Sequence, residues 1–97
     1  MPTYIALLNW TLQGIQSVKE SPSRLEKAKA AIKAAGGEMK AFYMTMGQYD
    51  IVAVIEAPDD ATYAKTILAI ASHGAVTSQT LRAFTEAEYR KIVGSLP

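Results

Sequence analysis

The fold of this chain is decided by the stretch Met46-Gly47-Gln48-Tyr49-Asp50-Ile51-Val52-Ala53-Val54-Ile55-Glu56-Ala57-Pro58-Asp59-Asp60. A tight reversal at Gly47-Gln48 leads into an almost entirely apolar run over residues 49–57, which is typical of a strand covered on both faces. Pro58 lacks a backbone donor and closes the strand, and Asp59 or Asp60 can cap a helix behind it. The stretch therefore predicts a hairpin, a central strand and a helix in direct succession.

The rest of the chain alternates between strand and helix in the same manner. A second, mostly apolar run over residues 3–10 predicts a first strand that also lacks a clean polar face. Ser21 and Pro22 are expected to be the N-cap and first residue of the main helix, which Gly36-Gly37 should end. The other predicted elements are a helical segment over 12–19, strands over 38–46 and 76–84, a helix reaching His73 and stopped by Gly74, and a last helix that starts with the capping box Thr85–Glu88 and runs to about Ser95.

This order, β-α-β-β-α-β with a terminal helix, is the pattern of the ferredoxin-like fold in the α+β class. Its sheet order is 4-1-3-2, which places the two apolar strands in the centre. Both helices pack on one side of such a sheet, so a second copy of the chain is expected to cover the other side. The prediction is a homodimer, in which two sheets stack as a dimeric α+β barrel.

Several segments together resemble the GYD-domain family of small bacterial proteins. They are Gly47-x-Tyr49-Asp50 with Glu56-Ala57-Pro58-Asp59-Asp60, Asn9-Trp10-Thr11-x-x-Gly14-Ile15, and Ser21-Pro22-x-Arg24. The resemblance covers almost the whole chain. It implies a dimeric α+β barrel formed by residues 1–97 as one domain, and it implies no particular reaction.

Composition excludes several classes of protein. The 97 residues fit one domain, and no apolar run approaches the length of about 20 residues that a bilayer requires. Ten basic and nine acidic residues give a net charge of +1, too balanced for the basic field of a nucleic-acid-binding protein. We therefore expect neither membrane nor nucleic acid as a partner, and a cytoplasmic location, because no charged and apolar signal segment is recognisable.

Metal and thiol chemistry is not expected. The chain has no cysteine and one histidine, which leaves too few nitrogen and sulfur ligands for a typical zinc or copper site. No cofactor is predicted. No phosphate-binding loop, HExxH motif or nucleophile elbow is present in the sequence.

Polar and aromatic side chains are expected to gather at one end of the sheet. The first strand is antiparallel to both neighbours, so its end lies beside the starts of the third and fourth strands. The predicted site consists of His73 and Asp50 as catalytic candidates, with Asn9, Trp10, Tyr49 and Ser78 as ligand-binding candidates.

Each of the chemically interesting groups also has a structural explanation. Histidine is the side chain best suited to general acid or base catalysis, which makes His73 a candidate, yet a histidine in the last turn of a helix also interacts with the terminal carbonyls. Asp50 can orient a histidine, or satisfy backbone donors after a turn. Trp10 and Tyr49 can line a ligand or belong to the core.

Three further expectations concern side-chain placement. Glu56, in an apolar strand, is expected to pair with Arg82, and Arg24 to contact a partner subunit or an anion. Alternation along strand 38–46 places Lys40 and Phe42 opposite Met39, Ala41 and Tyr43. The expected packing groups are the methionines Met39, Met44 and Met46, which fill core gaps, and Tyr89, Ile92 and Val93 of the last helix.

Three functions remain open from the sequence. The first is a protein that binds a small, partly apolar molecule between sheet and helices, with any catalysis free of metal. The second is a non-catalytic interaction or regulatory dimer. The third is a haem-binding barrel, since some barrels of the architecture that the resemblance implies bind haem through a helix histidine, and Asn9, Trp10 and His73 suggest this option here.

Overall fold

The molecule is built on one antiparallel sheet, and its two longest helices pack on one face of that sheet. The structure is a computed structural model that describes residues 1–97. The strands are β1 Thr3–Trp10, β2 Glu38–Met44, β3 Ile51–Glu56 and β4 Val76–Ala83, and the helices are α1 Leu12–Gln16, α2 Ser21–Ala34, α3 Asp60–Ala71 and α4 Glu86–Gly94, with a short 3₁₀ helix at Val18–Glu20. The order β2-β3-β1-β4 confirms the predicted ferredoxin-like α+β fold, with β1 and β3 in the centre.

The core lies between the sheet and helices α2 and α3. Alternate residues of the central strands supply it, including the buried Tyr4, Ala6 and Ile55, and α2 and α3 contribute Ile32 and Tyr63. The intervening residues of the strands point to the other side of the sheet, where no helix packs. We call this side the open face; its larger apolar members are Ile5, Leu7, Tyr43, Val52, Val54 and Leu81.

The hairpin differs from its prediction in two ways. Strand β2 has a bulge between Met39 and Ala41, which brings Met39 opposite Ile55 and Phe42 opposite Ala53. Met39 and Phe42 therefore share the helix-covered face, and the predicted alternation was wrong because the bulge adds one residue. The turn is also wider than a two-residue reversal, since the Thr45 N–H donates to the Asp50 carbonyl across a loop of intervening residues.

The helix ends follow local sequence signals, with one exception. Asp59 caps α3, accepting the Thr62 N–H at 2.7 Å, and Thr85 and Glu88 form the predicted capping box of α4. Ser21 does not cap α2, because the 3₁₀ helix already leads into it and Glu20 occupies the N-cap position in a helical conformation.

Helix α4 makes little contact with its own chain. Tyr89, Ile92 and Val93 are 60%, 47% and 47% exposed, so the packing predicted for them was wrong within a single chain. The radius of gyration is 14.6 Å, whereas a compact domain of this length has about 12.5 Å. The chain thus leaves two apolar surfaces without a partner: the open face and one side of α4.

Candidate functional site

Asn9 and Asp50 connect the end of β1 to the start of β3 through reciprocal side-chain to backbone hydrogen bonds. The Asp50 N–H is 3.0 Å from both the Leu8 carbonyl and Asn9 Oδ1, and Asp50 Oδ2 accepts the Trp10 N–H at 3.0 Å. Each side chain thus satisfies a backbone donor of the other segment. The carboxylate that sequence analysis offered as a catalytic group is already engaged in holding β1 to the start of β3.

The six predicted site residues reach the same end of the sheet but lie on different faces. Asn9 points to the open face, and the Tyr49 hydroxyl donates to Gln79 Oε1 on that face. Trp10 points to the helix-covered side, where it packs against the core. Ser78 lies on the same side, because it pairs with the core residue Leu8. The predicted groups therefore share one end of the sheet, but their side chains do not converge on a single site.

His73 lies at a junction between α3 and α1. Its carbonyl accepts the Gln13 side-chain N–H at 3.3 Å, and the next carbonyl, of Gly74, accepts the Thr11 hydroxyl. Thr11 also caps α1 through the Gly14 N–H at 3.1 Å. The His73 imidazole itself is exposed at the edge of a cleft.

That cleft, of about 440 Å³, separates α2 and α3 from the sheet. Ala6 and Ala53 of the central strands lie at its floor, and Trp10 and His73 border it. Among the predicted site residues only these two line the cleft. The other lining residues were not among the predicted site residues, although the alanines on the inner side of α2, such as Ala28 and Ala31, were a readable signal.

Arg24 has a local structural role within the chain, and its predicted contact with a partner subunit or an anion stays a prediction. Its guanidinium donates to the carbonyls of Gly14 and Ser17, each at 3.2 Å, and lies 3.9 Å from a carboxylate oxygen of Glu20. Arginine thus satisfies the free carbonyls at the end of α1 and ties that helix to α2.

A second polar cluster lies at the other end of the sheet. The Tyr4 hydroxyl donates to Asp60, and its ring stacks on Tyr63 with centroids 4.1 Å apart. Burial, together with the bond to Asp60, raises the pKa of Tyr4 to about 12. Tyr63 in turn bonds Thr80 at 2.8 Å, and the cluster fastens α3 to the sheet.

The predicted Glu56–Arg82 ion pair was wrong. In the β1 register Thr3 pairs with Glu56 while Tyr4 pairs with Arg82, so the two side chains lie on opposite faces of the sheet. Arg82 instead approaches Asp60 at 3.9 Å. The methionine prediction also fails in part: Met39 packs on the core, but Met44, at the end of the edge strand β2, and Met46, in the following turn, are 66% and 96% exposed.

No helix of the structure has both the length and the apolar character needed to traverse a lipid bilayer. Nor does any group of three or more His, Cys, Asp or Glu side chains have a geometry that could hold a metal ion.

Comparison with known proteins agrees with the sequence resemblance. The family model of the GYD domain matches residues 4–93. The chain belongs to the GYD-domain family. A relative named glutamine synthetase and cystathionine beta-lyase binding protein, from Thermus thermophilus, is 36% identical over 89 residues, which are 91% of this chain and 94% of that protein.

A solved structure shares the fold of this GYD domain. The crystal structure of TTHA0845 from Thermus thermophilus superposes with a TM-score of 0.56, covering 88% of this chain and 95% of the other at 23% identity. At that level of identity the likeness concerns the fold alone.

In this GYD domain, residues of the segments that resemble the family make structural contacts. Asn9 and Asp50 join two strands, Thr11 caps α1, and Gly14 packs against the backbone of Ala75. The shared motifs therefore account for the geometry of one sheet end.

Replacing Asp50 by alanine is expected to destabilise the GYD domain by about 1.5–3 kcal/mol, because the Trp10 N–H loses a charged acceptor. Urea unfolding followed by circular dichroism measures this loss. His73→Ala is the matched control; its imidazole is exposed and makes no side-chain hydrogen bond, so we expect a change below about 0.5 kcal/mol. A stable Asp50→Ala variant would show that the carboxylate is dispensable to the fold and free for chemistry.

Proposed function

We propose that this chain is a homodimeric, non-catalytic module that binds metabolic enzymes of the glutamine synthetase or cystathionine beta-lyase type. The relative named for binding those two enzymes carries the proposal, since it aligns with 91% of this chain. Asn9 and Asp50 are engaged in backbone hydrogen bonds, which supports a structural role for these two polar side chains.

The first step is the dimer, for which the open face is the contact surface. Its centre consists of aliphatic side chains such as Leu7 and Val52, which pair directly across β1 and β3. A sheet of four strands, the longest of eight residues, spans about 27 by 19 Å, or about 500 Å² per chain. Two such faces bury about 1,000 Å², the lower limit for a specific interface.

Helix α4 supplies interface area in addition to that of the two stacked sheets. Its apolar side is exposed and makes little contact with its own chain, while its cap and its Arg90–Glu86 ion pair at 2.8 Å keep it helical. We infer that α4 packs on the second copy, beside the stacked sheets. Twofold symmetry then buries both α4 helices at once.

The surface offered to an enzyme is an apolar stripe on α1 and the following 3₁₀ helix. It consists of Leu12, Ile15 and Val18, which are 72%, 48% and 37% exposed and recur at three-residue spacing. Arg24 ties this segment to α2, on the side of the sheet away from the open face. The stripe therefore stays accessible when two sheets stack, which is what a docking site on the dimer requires.

Binding of purified enzymes tests the proposal. We expect the chain to bind the glutamine synthetase or the cystathionine beta-lyase of its own organism with saturation and defined stoichiometry in biolayer interferometry. Leu12→Glu should weaken that binding at least tenfold, because it places a charge within an apolar contact at the most exposed residue of the stripe.

Leu68→Glu is the matched control. Leu68 is 68% exposed and lies on α3, outside the stripe, so its replacement should leave binding unchanged. Absence of binding to both enzymes would overturn the proposed partners, and equal effects of the two variants would overturn the assignment of the stripe.

A further inference from the structure

The cleft between the helices and the sheet is a second feature that enzyme binding does not use. Its volume of about 440 Å³ lies within the range of about 300–1,000 Å³ typical of small-molecule sites. It is bounded by the inner sides of α2 and α3 and by β1 and β3, so the ordered core forms its floor.

Small side chains keep the cleft open. Ala6 and Ala53 lie on the sheet at its floor, and Ala28 and Ala31 face it from α2. Larger residues at these positions would fill the space, as side chains do in a closely packed interior. The partly buried Ile67 of α3 and Phe42 of β2 pack against the core while bordering this space.

The charge distribution around the cleft indicates the chemistry of its occupant. No charged residue lies on the sheet floor; the charged residues of the lining, Glu20, Arg24 and Lys27, belong to the N-terminal half of α2 and the 3₁₀ helix before it. Glu20 and Arg24 lie 3.9 Å apart and offset each other, whereas Lys27 makes no ion pair. The mouth therefore has a net positive charge above an apolar interior.

We propose that the cleft binds an amphipathic small molecule, with its alkyl or aromatic body between the helices and the sheet and an anionic end beside Lys27. A medium-chain carboxylate has this chemistry. The apolar body replaces water next to aliphatic side chains, and the anion stays at the mouth where it remains partly hydrated.

Trp10 provides a built-in reporter, because it is the only tryptophan of the chain and lines the cleft. The probe is 8-anilinonaphthalene-1-sulfonate, which combines an aromatic body with an anion. We expect saturable binding of one probe per chain, energy transfer from Trp10, and displacement by decanoate. Decanol should displace it several-fold less well, since it lacks the charge.

Two variants separate this site from other apolar surfaces. Ala28→Phe fills the cleft and should weaken probe binding at least tenfold, and Ala31→Leu should act in the same direction with a smaller change in volume. Ala30→Phe is the matched control on the same helix, because Ala30 is exposed and does not line the cleft. Lys27→Gln should weaken decanoate about fivefold and leave decanol unchanged.

The possible outcomes are distinct. Probe binding that is unaffected by both Ala28→Phe and Ala31→Leu would place the probe on the open face or α4 and overturn the site. Equal binding of decanoate and decanol would overturn the anionic end. Enzyme binding through the α1 stripe is measured separately with Leu12→Glu, so failure of one proposal does not imply failure of the other.

Discussion

Val52→Lys is expected to abolish the proposed homodimer. Val52 lies on a central strand of the open face, paired with Leu7 on one side and Tyr43 on the other. In a twofold dimer each substitution occurs twice, so two ammonium groups would be buried without a counter-charge. We expect a loss of at least a thousandfold in dimer affinity.

Sedimentation equilibrium at micromolar concentration measures this effect. The wild-type chain of 10.5 kDa should sediment with twice its mass, and Val52→Lys should sediment as the monomer. Leu68→Lys is the control, because it adds the same charge to an exposed position on α3 and should leave the dimer intact. A wild-type monomer under these conditions would refute the dimer, and a dimeric Val52→Lys would refute the open face as its contact.

The neighbouring residue distinguishes the two faces of the same strand. Ile51 is 6% exposed and belongs to the core beneath the helices. Ile51→Lys should therefore unfold the chain, whereas Val52→Lys in the separated monomer faces water. Circular dichroism of the two variants should show a folded Val52→Lys and an unfolded Ile51→Lys.

Gly14→Ala is expected to destabilise the domain by about 3 kcal/mol or more. A Cβ at this position would lie 2.0 Å from the carbonyl oxygen of Ala75, and neither atom can rotate away, because the oxygen belongs to the backbone and a Cβ is bonded directly to it. The substitution must push α1 off the segment before β4 and break the bond from the Thr11 N–H to the Ala75 carbonyl, now 3.0 Å. The gain in helix propensity from alanine, about 1 kcal/mol, is too small to compensate.

Urea unfolding at a fixed protein concentration tests this expectation, since a dimer's stability depends on concentration. Gly94→Ala is the control: it also lies in a helix, and its added Cβ would meet no atom within 4 Å. We expect Gly94→Ala to be neutral or slightly stabilising. Equal free energies of unfolding for the two variants would contradict this prediction, because they would mean that α1 can shift away from Ala75 without destabilising the fold.

The sequence by itself determined the features that depend on neighbouring residues. Apolar runs identified the two central strands, Asp59 and the Thr85–Glu88 box marked helix starts, and Gly36 and Gly74 marked helix ends. These signals are readable because each is completed within a few residues, by a cap, a turn or a repeat of apolar positions. Together with the order of elements they were sufficient for the ferredoxin-like topology.

Tertiary structure decided which faces and partners these elements have. The bulge in β2 changed the side that Phe42 occupies, and the register of β1 separated Glu56 from Arg82. Arg24 donates to carbonyls of a different helix, and Asp50 accepts from the backbone of Trp10, so both side chains make structural hydrogen bonds that their neighbours in sequence do not reveal. Such contacts join segments far apart in sequence, and a shift of one residue in register reverses a strand's faces; no local pattern encodes that choice.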